Sequence, residues 1–92
     1  MIKSFKCKES KAIYEGKKVK RWSTFQQQIE KRLQILDVAT CLNDLRNLPS
    51  NRFESLKGDR KGQYSIRINQ QWRICFRWID EEALDVEIVD YH

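Results

Sequence analysis

The second half of the chain alternates between apolar and polar residues. The alternation extends over residues 64–69, 72–78 and 84–89, and short polar links join these runs. Successive runs with a period of two predict an antiparallel meander with one buried face. Two further short strands are predicted, at Phe53–Leu56 and at Met1–Phe5.

The first half of the chain follows a helical period instead. Residues 8–18 predict a short helix that ends at Gly16. A longer helix is predicted to extend through Val38, and Ser23 with Gln26 three residues later predicts a capping box at its start. Its apolar stripe consists of Phe25, Ile29, Leu33 and Leu36.

A third helical turn is predicted at Thr40–Arg46, and Pro49 should end it. Helices followed by strands predict an α+β sandwich, in which the helices pack on the apolar face of a twisted, mainly antiparallel sheet. The 92 residues are enough for one domain, spanning residues 1–92.

The alternation also predicts which residues face each other across the sheet. If the first two runs pair around residues 69–71, Arg67 lies directly opposite Arg73. Like charges at such positions destabilise a sheet by roughly a few tenths of a kcal/mol. A local cost of this kind is expected at a functional site.

The third run can pair with the second in two registers. In the first, Arg73 lies opposite Tyr91 and Arg77 opposite Glu87. In the second, Arg77 faces Asp85, and Tyr91 lies beyond the end of the hairpin. In both registers Arg77 gains a cross-strand acid, which favours a structural salt bridge, and Arg73 gains none.

The first register would place Arg67, Arg73 and Tyr91 in one row, with His92 just past its end. An imidazole with a pKa near ~6.5 can donate or accept a proton at neutral pH. A protonated His92 beside two arginines would suit the protonation of an oxygen that leaves a phosphate.

Charge is distributed unevenly along the chain. Residues 1–79 contain all 18 basic residues and seven of the 13 acidic ones, a net charge of +11, and residues 80–92 carry −6. Such an excess of positive charge indicates a polyanionic partner, such as a nucleic acid, or an acidic protein that competes for the same surface. A solvated, lysine-rich exterior is the alternative explanation.

The cysteines Cys7, Cys41 and Cys75 form no CxxC pair. This pattern predicts a reduced, cytoplasmic protein without a disulfide framework or metal site. The cysteines are interpreted as small apolar residues, although Cys75 falls on the same face as Arg73, a position compatible with access to solvent. No apolar run is long enough to span a membrane.

Several segments resemble one protein family. The resemblance rests on Leu-Lys-Gly-Asp-Arg at 56–60, Tyr-Ser-Ile-Arg-Ile-Asn at 64–69, Gln-Trp-Arg-Ile at 71–74 and Asp-Tyr-His at 90–92. Their order and spacing, with the opening residues 1–5, resemble HigB-type toxins of bacterial toxin–antitoxin modules, members of the RelE/ParE superfamily.

The resemblance implies a small RelE-like sandwich and a ribosome-dependent mRNA endonuclease that needs no cofactor. It also implies partners: the ribosome with its mRNA, and a HigA-like antitoxin with a helix-turn-helix domain, through which alone the toxin would contact operator DNA. No membrane association is implied. The site residues carried over by resemblance are Lys57, Arg73, Asp90, Tyr91 and His92.

Some HigB toxins have a histidine where this chain has Glu54, which is a departure from their pattern. Related toxins of the superfamily use a glutamate as base, and we expect Glu54 to be the base and His92 the acid. The expected reaction is metal-free attack of a ribose 2′-hydroxyl on the adjacent phosphate. Tyr91 would stack on a nucleobase or orient the backbone, and Asp90 would orient His92. The expected RNA-binding residues are Lys57, Arg60, Arg67 and Arg73.

Other interpretations remain open from sequence. The chain is also compatible with a ParE-like poison of DNA gyrase, or with a non-catalytic module that binds nucleic acid or acts as a co-repressor. Glu54 is equally explained as a surface partner of Lys57, and Asp90 as an ordinary acid at a strand end.

Overall fold

The computed structural model describes residues 1–90, so the predictions for Tyr91 and His92 lie outside the described residues. Three helices come first: α1 (Lys8–Tyr14), α2 (Gln26–Val38) and α3 (Leu42–Arg46). Short 3₁₀ turns occupy Lys20–Phe25, Pro49–Asn51 and Gly58–Arg60. No helix within residues 1–90 is long and apolar enough to cross a membrane.

Four strands follow: β1 (Glu54–Ser55), β2 (Tyr64–Arg67), β3 (Trp72–Ile79) and β4 (Glu82–Asp90). They form one antiparallel sheet in the order β1-β2-β3-β4, which confirms the predicted meander and the α+β class.

The core lies between the helices and the inner face of the sheet. Ile29, Leu33 and Leu36 on α2 are almost completely buried, as their three- and four-residue spacing predicts. They pack with the inward residues of the strands, among them Ile74 and Phe76 on β3. The residues that alternate with them, among them Arg73, therefore lie on the opposite face of the sheet.

The predicted capping box at Ser23 is wrong. Residues 20–25 form a 3₁₀ turn, and α2 begins only at Gln26. The Gln26 side chain reaches back instead, accepting a hydrogen bond from Val19 N (3.3 Å) and donating one to Lys17 O (3.2 Å). These hydrogen bonds join the first residue of α2 to backbone groups up to nine positions earlier in the chain.

The N-terminal segment, residues 1–6, pairs with β4 through two isolated parallel bridges, Ile2 to Ala83 and Phe5 to Val86, and is not a continuous strand. The Ile2 amide also donates to the Asp37 carboxylate of α2 at 2.8 Å. The segment thus covers the outer edge of β4 and ties it to the helical layer.

The predicted register between β2 and β3 is confirmed. Tyr64 lies opposite Phe76, Ile66 opposite Ile74, and Arg67 opposite Arg73.

From Trp72 to Cys75 the register between β3 and β4 is the second of the two predicted ones, with Arg73 opposite Val89. Arg77 lies opposite Leu84 and not, as that register predicted, opposite Asp85. The predicted row of Arg67, Arg73 and Tyr91 is therefore wrong. Between Cys75 and Arg77 the register shifts because β4 contains one extra residue, a β-bulge.

The bulge explains two further details of β4. Asp85 has a φ of 52° and forms the expected salt bridge to Arg77 at 3.5 Å. Because of the extra residue, the alternation of β4 is reversed on the N-terminal side of the bulge. Ala83 is fully buried there, and Leu84, which the alternation over 84–89 predicts to face inward, is only partly buried.

Candidate active site

Arg73 is held rigidly on the outer face of the sheet. Its side chain is almost buried, and its Nε donates to the Ser65 hydroxyl of β2 at 2.7 Å. One terminal nitrogen, Nη2, donates to the backbone carbonyl of Arg52. These neutral acceptors hold the guanidinium in place, so its position is set before any ligand arrives.

The backbone of Arg52 has an unusual conformation. This residue follows the Pro49–Asn51 turn and has a φ of 47° and a ψ of 48°, in the left-handed region. A non-glycine residue there is uncommon, and the conformation turns the chain from the helical layer into β1. It also orients the Arg52 carbonyl, which accepts the hydrogen bond from Arg73.

Glu54 brings a carboxylate to the same point. Its Oε1 lies 3.3 Å from Arg73 Nη2, and 46% of its side chain is exposed to solvent. The sequence predicted no cross-strand acid for Arg73 on β4, and the acid comes from β1, on the far side of β2. Within residues 1–90, Glu54 forms no ion pair with Lys57.

An open cleft of about 560 Å³ lies over this pair. It is lined by Arg52, Phe53, Glu54, Arg67, Gln70 and Arg73. The Arg67 side chain, opposite Arg73 across the ladder, donates from Nε to the Asn69 carbonyl at 3.0 Å. Among residues 1–90 no carboxylate lies within 4.0 Å of Arg67.

The cleft thus combines a solvent-exposed carboxylate with a buried, oriented guanidinium. A carboxylate can accept a proton, and a guanidinium can bind phosphate oxygens through parallel N–H bonds. Arg67 adds a second positive charge at the same opening. The arrangement suits the binding of a phosphodiester whose neighbouring hydroxyl is to be deprotonated.

Three other predicted site residues that the structure describes, Lys57, Arg60 and Asp90, have different surroundings. Lys57 is exposed and precedes the Gly58–Arg60 turn, and Arg60 donates to Glu87 at 2.9 Å. Asp90 accepts a hydrogen bond from the Gln71 side chain at 2.9 Å. None of these three lines the cleft.

Cys75 is completely buried, as its interpretation as a small apolar residue predicts, although it lies on the same face as Arg73. Burial raises the pKa of its thiol, against the smaller opposing effects of Arg60 and Arg73. Cys75 therefore behaves as a small apolar residue beneath the site.

Sequence reasoning missed several residues of the site, among them Ser65, Arg52 and Gln70. Ser65 was detectable, because the confirmed register places it opposite Cys75 on the same face as Arg73. Arg52 had no such signal, since the left-handed conformation of a non-glycine residue follows from tertiary packing. Gln70 lies in the β2–β3 turn, where the period of two ends.

Solved structures show the class of fold. The chain is similar to YafQ from E. coli, with a TM-score of 0.65, 11% identity and coverage of 98% of this chain and 93% of that one. It is also similar to a chain of the heterotetrameric YoeB–YefM toxin–antitoxin complex from Staphylococcus aureus, with a TM-score of 0.59 and 19% identity, covering 100% and 98%. The protein thus has the α+β fold of RelE-like toxins.

Sequence comparison defines the family. The model of the RelE-like toxin of the type II toxin–antitoxin system HigB matches residues 3–92. The chain is 42% identical to Toxin HigB-1 of Vibrio cholerae over 92% of both proteins, and 40% identical to Endoribonuclease HigB of Proteus vulgaris over the full length of both. The chain belongs to the HigB family of type II toxins.

Proposed function

We propose that the protein is an endoribonuclease that cleaves mRNA on the ribosome and thereby stops translation. The observation that carries this proposal is the exposed Glu54 carboxylate 3.3 Å from the anchored guanidinium of Arg73, in an open cleft. The relative from Proteus vulgaris, which is named an endoribonuclease, supports the same activity.

In the proposed reaction, Glu54 removes the proton from a ribose 2′-hydroxyl. The resulting oxygen attacks the adjacent phosphorus as the bond to the 5′-oxygen of the next nucleotide breaks. The products are a 2′,3′-cyclic phosphate and a free 5′-hydroxyl. Because DNA lacks the 2′-hydroxyl, the reaction is restricted to RNA.

Arg73 stabilises the negative charge that develops on the phosphate oxygens. Its bonds to Ser65 and to the Arg52 carbonyl hold its planar fork in place, so little reorganisation accompanies the reaction. Arg67 supplies a second charge at the same cleft. Lys57 and Arg60 would contact RNA at the margin of this surface.

The acid that protonates the departing 5′-oxygen is proposed to be His92. Tyr91 would stack on a nucleobase, and Asp90 would orient the imidazole. The proposed partner that restrains the toxin is an antitoxin with a helix-turn-helix domain, in keeping with membership of a toxin–antitoxin family.

The proposal is tested by replacing the acid and the base. Glu54→Gln and His92→Gln should each lower the rate of mRNA cleavage by about 10²- to 10⁴-fold, because each removes one proton-transfer group. The rates are measured in a translation reaction by mapping mRNA 5′ ends, with and without ribosomes. The matched control is Glu81→Gln in the exposed β3–β4 turn, which should cleave at the wild-type rate.

Full cleavage by Glu54→Gln would show that the base is another group. If RNA were cleaved at the same rate with and without ribosomes, the proposed ribosome dependence would be wrong. Growth arrest with DNA damage and intact mRNA would instead identify a poison of DNA gyrase.

A further inference from the structure

A second basic cleft adjoins the candidate active site. It has a volume of about 420 Å³ and is lined by Gln28, Arg32, Ser50, Arg52, Arg67, Ile68, Asn69 and Gln70. Arg52, Arg67 and Gln70 line both clefts, so the two form one continuous surface. This surface runs from the Glu54–Arg73 pair to helix α2.

The second cleft is positively charged, and none of its lining residues within 1–90 is acidic. Three of its eight lining residues are arginines, and the others are amides, a serine and an isoleucine. Among residues 1–90, no carboxylate lies within 4.0 Å of Arg32, Arg52 or Arg67. By contrast, Arg60 and Arg77 elsewhere on the sheet pair with Glu87 and Asp85. The positive charge in the cleft is therefore uncompensated within the described chain.

Arg32 is held in position by neutral groups. Its Nη1 donates to Asn51 Oδ1 at 2.7 Å and to the Ser50 hydroxyl at 3.2 Å. Asn51 is completely buried, and its own amide donates to the Leu45 carbonyl at 3.0 Å. A buried amide thus orients the Arg32 guanidinium without neutralising its charge. Ser65 orients Arg73 through a similar hydrogen bond.

We propose that this cleft binds a second phosphate of the RNA strand being cleaved, next to the scissile one. The inference rests on the proposed function and adds Arg32 and Arg52 to the substrate-binding residues. Flanking amides at Gln28, Asn69 and Gln70 can donate to phosphate or sugar oxygens. A single strand that enters the Glu54 cleft would reach Arg32 over the shared side chain of Arg67.

The test compares strands of different length that cannot be cleaved. A 2′-O-methyl dinucleotide has one phosphodiester, and a 2′-O-methyl pentanucleotide has several. Binding of both to the full chain at low salt is followed by NMR, through the arginine Nε–H signals, up to millimolar ligand. The pentanucleotide should shift the signal of Arg32 and bind more tightly than the dinucleotide.

Arg32→Gln should weaken pentanucleotide binding by about fivefold and leave dinucleotide binding unchanged. Arg52→Asn should weaken the binding of both strands, because Arg52 lines both clefts. Asparagine is chosen at position 52 because it tolerates the left-handed backbone. The dependence of log Kd on log salt should fall by about 0.7 for each lost contact. Arg32→Lys should retain most of the affinity.

The matched control is Lys31→Gln, which removes the same charge from the neighbouring position of α2 outside the cleft. Equal losses in Arg32→Gln and Lys31→Gln would overturn the inference, as would the absence of any shift at Arg32. A change in antitoxin affinity without one in RNA affinity would also overturn it. Failure of Glu54→Gln to affect cleavage would refute the proposed chemistry alone, because the binding test needs no reaction.

Discussion

At the scale of single residues, the site depends on how Arg73 is held. Its contact with Ser65 joins β3 to β2, and both side chains are buried. The sequence predicted that Arg73 faces Arg67, because the period of two determines which residues are opposite. It did not predict the contact with Glu54, because β1 is only two residues long and has no readable period.

We expect Ser65→Ala to destabilise the protein. The substitution leaves a buried Nε–H of a charged group without its acceptor, which costs about 1–3 kcal/mol of the free energy of unfolding. Urea denaturation followed by circular dichroism measures the loss. Ser55→Ala, at an exposed position of β1, is the control and should change stability by less than about 0.5 kcal/mol. Equal stability of the two variants would contradict the anchoring role of Ser65.

At the scale of elements, helix positions were largely predictable and helix starts were not. The apolar stripe determined that α2 exists and which face it buries. The first residue of α2 is fixed by Gln26, whose side chain forms hydrogen bonds with the backbone of Lys17 and Val19 in the preceding loop. Apolar periodicity does not predict such contacts. The bulge in β4 was equally invisible, because Asp85 is an ordinary polar residue in the alternation.

The start of α3 depends on Asp44. Its carboxylate accepts hydrogen bonds from Thr40 N at 2.9 Å, the Thr40 hydroxyl at 3.1 Å and Cys41 N at 3.3 Å. The bonds from Thr40, supported by those from Cys41, lower the pKa of Asp44 below its usual value of 3.8. A depressed pKa means that the ionised group stabilises the folded state.

We therefore expect Asp44→Asn to lower the Tm near neutral pH. The contribution of Asp44 is fully present above pH 3.8, the usual value, and is lost as the pH falls through the lower pKa of the folded state. The difference in Tm between wild type and variant should shrink over that acidic range. Calorimetry at a series of pH values measures it, and a difference that does not change with pH would contradict the assignment.

At the scale of the whole molecule, charge predicted a polyanionic partner, and the structure concentrates uncompensated arginines on one surface. Arg32, Arg52 and Arg67 come from α2, from the turn before β1 and from β2. Their convergence depends on the packing of the helices against the sheet. Periodicity determines the face of each element but not the distance between faces of different elements.

The N-terminal segment should protect the sheet from association. Backbone bonds join Lys3 N to Ala83 O at 2.8 Å and Lys6 N to Val86 O at 2.9 Å, along the edge of β4. An uncovered edge strand can pair with other molecules. Removal of residues 1–5 should therefore lower the Tm and produce oligomers, measured by light scattering after size-exclusion chromatography. A stable, monomeric truncated protein would contradict this.

The same pairing has a consequence for synthesis. Residues 2 and 5 pair with residues 83 and 86, so the edge of the sheet can be covered only after almost all of the described chain has been made. Contacts so distant in sequence form late, because a long loop must close first. The edge of β4 would thus stay open to pairing with other molecules until the end of synthesis.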